Sequence, residues 1–119
     1  MTRLQAVPDP AVPLPGSTGQ VVQDVELALR LAAAAPTGDA ADALRERLRG
    51  YIRAYAGAAE ARVRRLGDGR ERDIAAGTVA HARAVAADPV HDPAANLRLL
   101  AMGARMLVRY ASGGAEGGR

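Results

Sequence analysis

The chain contains no cysteine, no lysine, no phenylalanine and no tryptophan among its 119 residues. Without cysteine there can be no disulfide framework, no thiolate nucleophile and no cysteine-based zinc site, which fits a reducing compartment. No segment approaches the roughly 20 apolar residues that span a bilayer. The most apolar stretch, residues 21–35, is interrupted by Asp24, Glu26 and Arg30. The first eight residues lack the apolar run of a signal peptide. A protein with no membrane segment and a cytoplasmic location is therefore expected. The missing lysine has a counterpart: all 16 basic residues are arginine, against 13 acidic ones, for a net charge of +3. Abundant alanine and glycine accompany them, the skew that GC-rich coding produces, so composition alone accounts for the number of arginines.

Large apolar side chains are also scarce. Residues 17–111 hold 25 of type Val, Ile, Leu, Met or Tyr. Burying each contributes about 1.5–3 kcal/mol, whereas ordering a residue costs on the order of 1.5 kcal/mol. Alanine faces must supply the remainder, through close helix approach or a subunit interface. Homo-oligomerisation is expected on this ground, because a small single core often needs it.

Pro8, Pro10, Pro13 and Pro15, followed by Gly16, exclude a helix at the start. Residues 1–16 read as a flexible arm, residues 17–112 as one helical domain, and the Gly-rich residues 113–119 as a loose tail. Within the domain four helices are predicted. The first spans about 18–35, with Ser17 and Gln20 as a capping box and Val22, Val25, Leu29 and Ala32 at helical spacing. The second spans about 39–66 with one apolar stripe, Leu44, Leu48, Ile52, Tyr55, Ala59, Val63 and Leu66, and Gly67 as its C-terminal cap. The third runs from Asp68 or Gly69 to about Ala87, with Ile74, Thr78, Ala82 and Val85 buried. The fourth starts at the Asp92 cap and Pro93. It buries Leu97, Leu100, Ala104, Leu107 and Ala111, and Gly113 ends it. No period-2 alternation marks a strand. Short turns favour antiparallel neighbours, so the expected fold is all-α: an up-and-down four-helix bundle, or a three-helix core with the first helix packed elsewhere.

Motifs that carry chemistry are few. A phosphate-binding glycine loop, HExxH, a nucleophile elbow and EF-hand spacing are all missing. His81 falls on the third helix with no partner nearby in sequence. The run from Asp88 to Asp92 places two carboxylates and His91 together, but Asp92 reads as a helix cap and Asp88 as a turn former. No catalytic residue, metal ligand or cofactor is assigned. A small-molecule or catalytic pocket would have to draw on Tyr51, Tyr55, Tyr110 or His81.

Arginine is the strongest signal. From Arg45 to Arg72 nine arginines face four acids. Arg45, Arg49 and Arg53 recur every fourth position, and Arg62, Arg64 and Arg65 cluster at the end of the same helix. This set is the candidate surface for nucleic acid or another anion. The fourth helix is apolar over more than half its circumference. Leu99, Met102, Met106 and Tyr110 form a candidate interface for a second subunit or another protein.

The run from Leu48 to Ile52 with Glu60, the Arg65-Leu66 pair, His81-Ala82-Arg83, and the Arg98-Leu99…Tyr110 spacing resemble an uncharacterised family. Its members are short all-helical actinomycete proteins, loosely labelled natural-product biosynthesis proteins, and the resemblance covers residues 40–111. It implies a helical fold and a place in secondary metabolism, and it carries no functional residue over. The expected function is a non-enzymatic helical accessory or interaction module that self-associates. The alternatives are a nucleic-acid-binding regulator and a small-molecule-binding bundle.

Overall fold

A computed structural model describes residues 18–112. The arm at residues 1–16, the Ser17 cap and the tail from Gly113 onward lie outside the described residues. Four helices account for nearly all the rest: α1 (Thr18–Ala34), α2 (Asp39–Arg64), α3 (Arg70–Ala87) and α4 (Pro93–Ala111).

Each start has a local cause. Gly38 and Gly69 precede α2 and α3 with φ of +106° and +147°, values that side-chain-bearing residues rarely adopt. Asp39 and Asp42 lie in the first turn of α2, and Glu71 and Asp73 in that of α3, where carboxylates suit the positive end of the helix dipole. Asp92 caps α4 as expected, its Oδ1 accepting from the Ala95 N–H at 3.1 Å, with Pro93 in the first turn. The predicted role of Gly67 is corrected. It has no positive φ. Instead α2 ends by tightening: Arg65 N–H donates to Arg62 O and Leu66 N–H to Val63 O, both at 3.0 Å.

Connections of a few residues join the helices into a four-helix bundle. α2 and α4 share the most extensive contact, α1 rests mainly on α4, and α3 packs on both α2 and α4. Leu44, Leu48, Ile52, Leu97, Leu100 and Leu107 form the fully buried centre between α2 and α4. Small residues permit this closeness. A Cβ built on Gly103 would sit 3.2 Å from Ala82 Cβ and 3.5 Å from Ile52 Cδ1, so α4, α3 and α2 meet there so closely that a methyl group would require Ala82 to shift by a few tenths of an ångström.

The predicted stripe of α2 is buried along its length, apart from a half-buried Leu66. Two other faces are rotated relative to the periodicity. α1 buries Val21, Asp24, Val25, Ala28 and Ala32, leaving Val22 exposed. α3 buries Ala75, Val79, Ala82, Val85 and Ala86, leaving Ile74 exposed. In α1 Val21 turns inward in place of Val22, and Ala28 sits deeper than its neighbour Leu29; in α3 Ala75 takes the inward position beside the exposed Ile74. α4 also buries Ala101 and Val108, and leaves Ala111 half-buried.

Candidate functional site

Arg45 is removed from the predicted anion surface. It is only 3% exposed. Its Nε donates to Asn96 Oδ1 at 2.9 Å, its Nη1 to Asp42 Oδ1 at 3.1 Å, and its Nη2 to Pro36 O at 2.6 Å and Pro93 O at 2.7 Å. The guanidinium thus rivets the α1–α2 turn to the first turns of α2 and α4. A spacing of four advances about 40° per step around a helix of 3.6 residues per turn. Arg45, Arg49 and Arg53 therefore spiral from the core to the surface and do not form one ridge. Arg49 is largely buried, 3.6 Å from Glu46, and Arg53 is exposed, 3.4 Å from the same carboxylate.

Arg62, Arg64 and Arg65 are all exposed; Arg62 and Arg65, three positions apart, lie about 60° from one another, whereas Arg64 turns about 100° or more away from both. Among them Arg64 lines the outer groove between α2 and α3. There it joins Arg72 and Arg83, which the sequence reading passed over, around a cleft of about 390 Å³.

A second polar cluster went unforeseen. Asp24, 4% exposed on the inner face of α1, accepts from Tyr51 Oη at 2.5 Å. It also accepts from Arg47 Nε at 3.0 Å and Nη2 at 3.1 Å, and from Gln20 Nε2 at 3.4 Å. Burial alone pushes the Asp24 carboxyl up, but the hydrogen bonds from Arg47 and Tyr51 and the Arg47 charge outweigh it and hold the group below its ordinary value. Burial, followed by the hydrogen bond to Asp24 and its negative charge, raises Tyr51 to about 12. Its proton therefore stays on the phenol at neutral pH, donated to a carboxylate that is already ionised. That arrangement fastens α1 to α2; it does not poise an acid or base. An acid at position 24, inside the spacing of Val21, Val25 and Ala28, is the sequence signal that could have revealed it.

Tyr55 is buried in the core, and His81 is exposed on α3. His91 lines a recess of about 190 Å³ at one end of the α3/α4 groove, with Val85, Asp88, Asp92 and Leu99. Tyr110 lines a larger recess of about 440 Å³ at the other end, with Leu66, Arg70 and Ile74. The tyrosines and histidines named as pocket candidates are therefore not brought together. Among the described residues no three His, Asp or Glu side chains are grouped to hold a metal ion.

The predicted interface residues do share a region. Leu99 is 44% exposed and Met102 43%. Met106 and Tyr110 are half-buried on the same side, at successive four-residue steps beyond Met102. Arg105 Nη2 lies 3.1 Å from Met102 Sδ. Ile74 of α3, 57% exposed, extends this apolar face across the groove toward Tyr110. No described helix is long and apolar enough to cross a membrane.

No curated protein and no solved structure matches the chain. A protein-family model matches residues 19–115, which takes in all four helices, and the chain therefore belongs to the family of unknown function DUF6415.

Proposed function

We propose that the protein is a non-enzymatic helical interaction module that pairs with a second copy of itself through the outer face of α3 and α4. One observation carries this reading: Ile74 and Leu99 stand exposed at the two ends of one groove, and Met102 stands exposed one turn along α4 from Leu99, while the core closes without them. Large apolar side chains gathered on one face mark association surfaces.

Charge favours a second copy as the occupant. α4 carries Arg98, Arg105 and Arg109 and no carboxylate, whereas α3 offers Glu71 and Asp73 in its first turn, interleaved with Arg70 and Arg72, and is followed by Asp88. A twofold axis parallel to the helices lays α4 of one copy over α3 of the other. Arg105 and Arg109 then approach the end of α3 that holds Glu71 and Asp73, and Arg98 approaches Asp88, so the face is self-complementary. The lack of cysteine fits a cytoplasmic setting for this pair. The sequence resemblance extends the proposal to a supporting role in actinomycete secondary metabolism.

Sedimentation velocity tests the reading. The expected result is a dimer for the native chain at tens of micromolar, and a monomer of unchanged helicity for the Leu99→Glu, Met102→Glu double variant. A native chain that stays monomeric throughout that range refutes it.

A further inference from the structure

The outer groove between α2 and α3 lies apart from the face just described and has a different chemistry. Two recesses make it up. Arg53 and Arg83 line the first, of about 250 Å³, over Ile52, Ala86 and Ala87. Arg64 and Arg72 line the second, of about 390 Å³, over Val63, Ala76 and Ala80, with Glu60 and Arg83 at its margin. The floor is thus small and apolar and the walls are guanidinium groups.

The arginines have a regular arrangement. Arg53 and Arg64 are eleven residues apart on α2, and Arg72 and Arg83 are eleven apart on α3. Eleven residues make about three turns and about 16 Å, returning to the same side of a helix. With the two helices antiparallel, Arg53 and Arg83 line the first recess and Arg64 and Arg72 the second, and Arg83, its guanidinium turned toward Glu60, borders both. The result is two arginine-walled recesses whose anchoring residues lie three helical turns apart.

These cations are weakly committed within the protein. Arg64 has no ion-pair partner among the described residues. Arg53 meets Glu46 at 3.4 Å with both side chains more than half exposed. Arg72 meets Asp68, which is almost fully exposed, at 2.6 Å. Arg83 Nη1 donates to Glu60 Oε2 at 2.6 Å, both groups being about half exposed. Exposed pairs of this kind contribute little and exchange readily. Glu60 is the one carboxylate lining either recess, and it marks where an incoming carboxylate would sit.

We propose that this groove seats an acidic α-helix of a partner protein, with carboxylates at i and i+11 engaging the arginines of the two recesses. Three turns of any α-helix reproduce the spacing. The alanine floor permits the close interaxial approach of helix packing, about 8–10 Å. Nucleic acid fits less well: Tyr51 and Tyr55 are buried and Tyr110 lines the other groove, so no aromatic ring is placed for bases to stack on.

Fluorescence anisotropy on the full chain tests this with two labelled alanine-rich peptides of identical composition. One carries glutamates at i, i+4, i+7 and i+11; the other spreads them around the helix. The one-sided peptide is expected to bind at least about fivefold more tightly, the factor that roughly 1 kcal/mol gives. Arg64→Glu, which breaks no hydrogen bond or ion pair among the described residues, weakens that binding by a similar factor, and adding Arg53→Glu abolishes it. Glu60→Gln tightens it, by removing the competing carboxylate. Leu99→Glu leaves it unchanged, which separates this groove from the α3/α4 face. Equal binding of both peptides, indifference to Arg64→Glu, or displacement of the peptide by a short DNA duplex at lower concentration would each overturn the proposal; the last would assign the groove to phosphate.

Discussion

Replacing Arg45 by alanine deletes four hydrogen bonds at one stroke. Asn96 Oδ1, Pro36 O and Pro93 O lose their donor, and Asp42 loses its ion pair. Asp42 is well exposed and water replaces Arg45 there at little cost. The loss therefore comes mainly from the three acceptors at the closed end of the bundle. Hydrogen bonds from a charged donor contribute about 1.5–3 kcal/mol each and are not additive. Breaking a buried charged network costs about 3–5 kcal/mol in all. A domain of this size has a total stability of about 5–15 kcal/mol, so the variant should fall close to half of it. Urea unfolding followed by circular dichroism at 222 nm measures the effect. The midpoint should drop with the slope unchanged, because the same surface is exposed on unfolding. Thermal unfolding should move down by more than about 10 °C. Arg53→Ala is the control: its side chain is 60% exposed and its loss should cost less than about 0.5 kcal/mol. If the two variants proved equally mild, Arg45 would not hold the helix ends together.

Two further outcomes are expected. In a spectrophotometric titration at 295 nm, one of the three tyrosines should ionise near pH 12, and Tyr51→Phe should remove that transition. Its raised value means its contribution is fully present below pH about 10 and lost as pH rises toward 12, so alkaline unfolding of Tyr51→Phe should depend less on pH across that window. Gly103→Ala should forfeit the helix-propensity gain and be neutral to about 1 kcal/mol destabilising, since its Cβ would press on Ala82. Gly77→Ala, at a helical site with nothing within 4 Å, should stabilise by about 0.5–1 kcal/mol; the reverse order in urea midpoints would contradict the packing described between α3 and α4.

The candidate surfaces were only partly legible in the sequence. Leu99 and Met102 stand exposed where the width of the apolar face of α4 suggested. The arginine surface did not follow from spacing by four, because that interval carries Arg45 inward and Arg53 outward on one helix. Arg72 and Arg83 were invisible for another reason: they matter through residues of α2 that pack beside them from across the α2–α3 turn, 8 to 30 positions away in the chain.

By itself the sequence determined the helices. Pro36, Pro89, Pro93 and the glycines at the turns break the chain by steric rules that act within a few residues. The leucine stripe of α2 marked the core because a long apolar residue recurring at helical spacing has one plausible side to bury. Which side α1 and α3 bury was decided only in the tertiary structure. There the choice rests on what the neighbour presents: Tyr51 and Arg47 to Asp24 of α1, Gly103 to Ala82 of α3. Contacts of that kind lie between helices, and no local pattern encodes them.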